Sequence, residues 1–171
     1  VICRKTYKQP TEKMTDFPEE TKPFCIDLLS KLVAEKLLGT KLQSADTKNK
    51  GQFLERKAMA LLGYKSSLVG GYPDIPNQLL EVKVQDSPTI DLGKYSPEFE
   101  EVIYSNITTK DIRYLIALTN PKTNLIESVV LVSGKELGDI FSFVSDTSFK
   151  CQRSIPMSFF EKYKKKCVFN P

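Results

Sequence analysis

Two short apolar runs constrain this chain most. Arg113 to Thr119, RYLIALT, and Leu125 to Val132, LIESVVLV, have the length and composition of buried strands. The five residues between them, NPKTN, form a hairpin loop, so the pair is predicted to be antiparallel. Ser133-Gly134-Lys135-Glu136 follows with the spacing of a capping box ahead of Leu137, Ile140, Phe141 and Val144, which predicts a helix returning over the sheet. Upstream, Ile26, Leu28, Leu29, Leu32, Val33, Leu37 and Leu38 fall broadly at helical spacing, with Gly39 where a helix would stop. A second helix is predicted over about Asn49 to Leu62, with Leu54, Ala58, Leu61 and Leu62 on one stripe. Helices and strands of this kind predict an α/β (α+β) fold.

Composition limits the chemistry more than the fold. A chain of 171 residues can bury a core without metal or disulfide staples, and it is expected to form one domain. Residues 1–23, with Pro10, Pro18 and Pro23 among polar residues, read as an irregular arm, leaving 24–171 as the domain. The first residue is Val1, so a segment of a longer protein is expected. Cys3, Cys25, Cys151 and Cys167 lie far apart and none has the spacing of a zinc knuckle or redox pair, which predicts free thiols in a reducing compartment. There is no run near the ~18 apolar residues of a membrane span and no secretory leader, so the expected location is cytoplasmic and no membrane contact is expected. The formal charge of +4 permits a polyanionic partner without requiring one. The absence of histidine excludes Ser-His and Cys-His nucleophile pairs, histidine zinc sites and a histidine general base. Any chemistry must therefore use carboxylates, lysines, tyrosines and a hard metal.

The stretch Gly70 to Gln85, GGYPDIPNQLLEVKVQ, collects such groups. Leu80, Val82 and Val84 alternate with Glu81, Lys83 and Gln85, the pattern of a strand with one apolar and one charged face. Ile75-Pro76-Asn77-Gln78 reads as a tight turn. With Pro76-Asn77 as the loop, Asp74 lies opposite Leu79 and diagonal to Glu81 on one face, about 7–8 Å away between backbones. A loop one residue longer would turn Asp74 to the other face. Ser66 to Val69 is predicted to be a strand leading into the Gly70-Gly71 kink. Glu55 borders the apolar stripe of the second helix, close in direction to Leu62. Residues 85–93 are predicted to be a loop broken by Pro88 and Gly93, followed by a short helix from Ser96-Pro97 to about Tyr104. Both carboxylates of the hairpin are expected on the solvent side of the sheet.

An acid, any residue, then lysine occurs at Glu20-Lys22, Asp46-Lys48, Glu55-Lys57 and Glu81-Lys83. Only the last lies on a clean amphipathic strand, follows a Pro-Asp pair by a short turn, and has a helical acid upstream. Pro73-Asp74 with Glu81-Val82-Lys83 resembles the motif of the PD-(D/E)XK nuclease superfamily, and Leu80 to Gly93 resembles the segment around the catalytic strand of some type II restriction endonucleases. The resemblance spans about Glu55 to Val132. It implies a restriction-endonuclease-like core, a mixed β-sheet flanked by helices. It also implies that Asp74 and Glu81, with the carbonyl of Val82, are metal ligands, that Lys83 stands beside the attacking water, and that Glu55 holds a second metal or a water. Independently, paired carboxylate oxygens suit Mg²⁺, which activates bound water and offsets charge on a scissile phosphate.

The expected activity is Mg²⁺-dependent endonucleolytic cleavage of double-stranded DNA, by a homodimer or as part of a larger multidomain enzyme. Gln85 continues the charged face and is a candidate to orient substrate or water, with a solvated glutamine as the alternative. Asp91 and Tyr95 are candidate DNA contacts from the adjoining loop. Lys164, Lys165 and Lys166 form a basic run that suits phosphate or simply a solvated end. Two other readings stay open: a structure-specific nuclease such as a resolvase or exonuclease, and a non-catalytic nucleic-acid-binding module.

Overall fold

The computed structural model describes residues 23–43, 47–64, 72–86, 89–91, 100–104, 106–140, 142–147, 150–154, 162 and 167–168. Four strands form the main sheet in the order β1 (Leu80–Gln85), β5 (Arg113–Thr119), β6 (Ile126–Ser133) and β9 (Cys167–Val168). β5 and β6 are antiparallel, as their hairpin loop predicts, whereas β1 runs parallel to β5 and β9 parallel to β6. The sheet is therefore mixed, within an α/β arrangement.

Helices cover one face of this sheet. The first is α-helical over α1 (Ile26–Leu29), passes through a π-helical stretch at Ser30–Ala34, and ends as α2 (Glu35–Leu37). The wider π turn matches the four-residue steps from Leu29 to Val33 to Leu37, all fully buried, which is why the sequence shows only approximate α periodicity here. Gly39, at φ +83°, takes the left-handed conformation that ends the helix, and its N–H donates to the Ile126 carbonyl at 2.9 Å. The helix α3 (Thr47–Leu61) lies beside β1 and presents Leu54, Ala58 and Met59 to the core. Those residues meet Leu80, Val82, Leu115, Ala117, Val129 and Leu131, the side chains on one face of the sheet.

The opposite face carries a smaller apolar cluster. Tyr114, Ile116, Val130 and Val132 pack with Ile112, Leu79 and Leu137, the last from α4 (Gly134–Ile140). The predicted capping box forms at the start of α4: Glu136 N–H donates to Ser133 Oγ at 3.2 Å, and Ser133 N–H donates to Glu136 Oε2 at 3.1 Å. α4 stops at Ile140, however, and Val144, expected on this helix, lies in strand β7 (Ser142–Thr147).

Three further expectations need correcting. Thr89–Asp91, read as loop, is strand β2, which pairs antiparallel with β8 (Lys150–Ser154) in a second sheet ordered β2-β8-β7. Val102–Tyr104, read as the end of a helix, is strand β3, paired with β4 (Ile107–Thr108). Both are three-residue strands whose partners supply the ladder, and no local period in so short a segment announces it. Cys25 is disulfide-bonded, which corrects the expectation of four free thiols and with it the argument for a reducing compartment. Residues 1–22 of the arm expected at 1–23, the strand expected at 66–69 and the helix start at Ser96 lie outside the described residues. No helix among the described residues is long and apolar enough to cross a membrane.

Candidate metal centre

The hairpin expected around Pro76 exists, with a different loop. Ile75 and Leu80 exchange both backbone hydrogen bonds, at 2.9 and 3.2 Å, so the loop runs from Pro76 to Leu79. It begins as a 3-10 turn over Pro76–Gln78 and ends with Leu79 in the left-handed region at φ 49°. The loop is two residues longer than predicted. Because the change is even, Asp74 keeps the same face as Glu81, but it now lies directly opposite Glu81 instead of opposite Leu79.

A non-glycine residue in the left-handed region costs of order 1 kcal/mol or more and needs its surroundings to hold it. Here they do. Arg113 N–H donates to the Leu79 carbonyl at 2.7 Å, and the Arg113 guanidinium donates to the carbonyls of Gln78 and Phe24. The Gln78 side chain accepts from Phe24 N–H at 2.8 Å and donates to Tyr64 Oη at 3.2 Å. Arg113 is 1 % exposed and its pKa is lowered to about 10 by that burial. It thus ties the start of β5, the turn and the first helix into one unit. Nothing in the sequence marked Arg113 or Gln78, since each reads locally as a strand end or a turn residue.

The register brings the two carboxylates together. Asp74 N–H donates to Glu81 Oε2 at 3.0 Å, and Val82 N–H donates to Asp74 Oδ2 at 2.9 Å. Leu80 turns its backbone groups toward Ile75, and the pleat repeats every second residue, so the carbonyl of Val82 points to the same side as the Val82 N–H that reaches Asp74. Asp74, Glu81 and the Val82 carbonyl therefore face one region. Lys83 Nζ lies 2.9 Å from Glu81 Oε1, with its side chain 31 % exposed against 7 % for Glu81.

Both acids are buried, not on the solvent side as expected. The charged face of β1 lies beside Tyr114 and Ile116 of β5, which the alternation of one strand could not disclose. Burial, followed by the nearby Glu81 and Glu55 charges, pushes the Asp74 carboxyl up to about 9. Burial works against the Lys83 ammonium, yet the carboxylates of Glu81, Asp74 and Glu55 hold its pKa above the ordinary lysine value. Glu55 is half-buried on α3, as its place beside the apolar stripe predicts, and burial and Glu81 raise its pKa while Lys83 opposes the rise. A buried pair of acids that repel one another, with one lysine between them and solvent, is electrostatically prepared for a further cation.

Compared with known proteins, the chain matches no family model, no curated protein and no solved structure.

The donors present fit a hard divalent cation: carboxylate oxygens of Asp74 and Glu81 and one peptide carbonyl. Among the described residues no three acidic, cysteine or histidine side chains converge as a metal-binding group. Asp74 and Glu81 are thus the two side-chain donors of this fit, with Glu55 half-buried nearby on α3. Gln85 lies on the same strand face and is 4 % exposed, so it is packed and not a solvated glutamine. Asp91 lies in β2, opposite Gln152 of β8. Tyr95, Lys164, Lys165 and Lys166 lie outside the described residues.

Two groups near the carboxylates escaped sequence reasoning. Tyr72 Oη and Tyr114 Oη are 2.7 Å apart. Burial, then the mutual interaction and the nearby Glu81, raises the pKa of Tyr72, and burial with Glu81 raises that of Tyr114, so both remain protonated. Tyr72 stands two residues before Asp74, which was a faint signal, but Tyr114 was hidden inside an apolar run. Lys50 of α3 is also buried and pairs with Asp86, just after β1, at 3.9 Å.

Proposed function

We propose that this protein is a Mg²⁺-dependent endodeoxyribonuclease of the PD-(D/E)XK type that hydrolyses phosphodiester bonds in double-stranded DNA. The observation that carries the reading is the placement of Asp74 directly opposite Glu81, each carboxylate locked by a backbone N–H, with the Lys83 ammonium 2.9 Å from Glu81. A pair of acids so close, with one of them pushed toward the neutral form, gains from a divalent cation what it lacks without one. A mixed sheet with β1 parallel to β5 and Glu55 on a neighbouring helix is compatible with the restriction-endonuclease-like core that the motif implies.

In this reading Asp74, Glu81 and the Val82 carbonyl would hold Mg²⁺, and Glu55 would hold a second ion or a water. When bound, the ion lowers the pKa of a coordinated water and offsets charge developing on the phosphate. Lys83, tethered by Glu81 and partly exposed, is placed to hold the attacking water or to face the phosphate oxygens. The water oxygen forms a bond to phosphorus, the bond from phosphorus to the leaving oxygen breaks, and the water proton passes to solvent or to that oxygen. In this reading a homodimer or a larger assembly would bring one such centre to each strand.

Digestion of long mixed-sequence DNA with and without Mg²⁺ tests this. Discrete Mg²⁺-dependent bands are the expected result and indicate site-specific cleavage, whereas a smear would indicate a nuclease without sequence preference. DNA that stays intact while still being bound, independently of Mg²⁺, would replace the enzyme by a nucleic-acid-binding module.

A further inference from the structure

One glycine of α3 has neither a conformational nor a packing reason. Gly51 is the fifth of the 15 residues of this helix. Its backbone is helical, unlike that of Gly39 and Gly63, which take positive φ. A glycine inside a helix weakens it relative to alanine. Crowding does not demand one here either: among the described residues, a Cβ added to Gly51 meets no atom within 4 Å. For the fold alone, alanine is the better residue.

The place of that empty space gives it meaning. At about 100° per residue, Gly51 points in nearly the same direction as Leu54, Ala58 and Leu62, all of them buried in the core. One face of the helix is therefore packed from Leu54 onward and open at Gly51. The opening lies one turn, roughly 6 Å along the axis, before Glu55, whose side chain feels the charges of Glu81 and Lys83. On the preceding residue, the buried Lys50 pairs with Asp86 just past the end of β1, which fixes this turn of α3 beside the strand. A side chain added at 51 thus fills the opening instead of pushing the helix away. Arg56, exposed and near enough to act on Glu55, adds a cation on the solvent side.

We infer that the opening at Gly51 is where the sugar-phosphate backbone of the bound DNA strand passes α3 beside the scissile phosphate, in van der Waals contact with the bare helix. For the identity of the ligand this rests on the nuclease reading, to which it adds a substrate-binding position. The uncharged ribose suits a place beside Glu55, and its close approach to a helix backbone requires a residue without a side chain.

The test compares wild type, Gly51→Ala, Gly51→Leu and Ala60→Leu as full chains. Ala60 is exposed and lies half a turn round α3 from Gly51, so it controls for bulk on the helix. Binding to a short mixed-sequence duplex is measured by fluorescence anisotropy without metal, together with the thermal midpoint, the Mg²⁺-induced thermal shift and cleavage with Mg²⁺. Gly51→Ala should raise the thermal midpoint by about 2–4 °C, from helix propensity gained without a clash. Gly51→Leu should weaken DNA binding by a factor of about 10 to 10², as for extra methylenes forced into an occupied space, and Gly51→Ala should weaken it less. Both should keep the Mg²⁺ shift, and Ala60→Leu should bind as wild type does. A more stable protein that binds DNA worse marks a glycine kept for the ligand. Gly51→Leu binding as tightly as wild type would overturn the assignment and, with cleavage intact, leave the nuclease standing. Gly51→Ala less stable than wild type would also overturn it, because the space would then be needed by the chain itself. Wild-type protein that binds DNA without cutting it removes the nuclease reading, and the variant affinities still decide the contact at Gly51. Wild-type protein that does not bind DNA removes both.

Discussion

Replacing Asp74 by asparagine removes one of two opposed buried charges while keeping the side chain's shape. In the wild-type chain Asp74 Oδ2 accepts from Val82 N–H, and the carbonyl oxygen of an asparagine can do the same. Its amide adds a donor toward Glu81, where a carboxylate could only repel. With side chains about 5 Å apart, as for directly opposed strand positions, two unit charges repel by about 3 kcal/mol at an effective dielectric of 20. Part of that is already relieved, because burial and Glu81 favour protonated Asp74. A gain of about 1–3 kcal/mol in metal-free stability is expected, largest at high pH, where the wild-type carboxyl is forced to ionise. Mg²⁺ should act in the opposite sense. At 10 mM ion and an affinity near 1 mM, binding stabilises wild type by about 1.4 kcal/mol, or about 3–6 °C for a domain of this size. Asp74→Asn should lose most of this shift and all cleavage. Thermal unfolding by circular dichroism, with and without Mg²⁺ at pH 6 and pH 9, measures both effects. A variant less stable than wild type at pH 9 without metal, or one that keeps the full Mg²⁺ shift, would refute the opposed-carboxylate argument.

Other expectations follow from named contacts. Lys83→Ala should lower the single-turnover rate by a factor on the order of 10² with DNA affinity nearly unchanged, because its ammonium is tethered at Glu81. Lys57→Ala, which alters the same acid-x-Lys spelling on the exposed side of α3, should cut at the wild-type rate. Metal-free wild type should lose stability as pH rises from about 4 to about 9, since the raised Asp74 pKa means that the folded state holds a proton the unfolded chain releases, and Asp74→Asn should flatten that slope. Arg113→Met should destabilise the fold by about 3 kcal/mol in urea unfolding, because the carbonyls of Phe24 and Gln78 lose their buried donors. A change under 1 kcal/mol would show that the turn holds Leu79 without Arg113.

The sequence alone determined the strands β1, β5 and β6, the capping box and the kinds of ionisable group gathered near β1. Period-2 alternation at Leu80–Gln85 and the apolar runs at 113–119 and 125–132 are local patterns, and burial on one or both faces writes such patterns directly into the chain. The same holds for Ser133 and Glu136, whose partners are three residues away. The lack of histidine restricted the chemistry before any fold was known. Only the tertiary structure decided how the acids meet. The loop from Pro76 to Leu79 is set by Arg113 and Gln78, residues 35 apart in the chain, and its even change in length preserved a shared face that an odd one would have destroyed. The parallel pairing of β1 with β5 placed Tyr114 beside Glu81 and buried carboxylates that the alternation assigned to solvent. Strand periodicity records which side of a strand a residue occupies, but it carries no information about what a distant strand brings to that side.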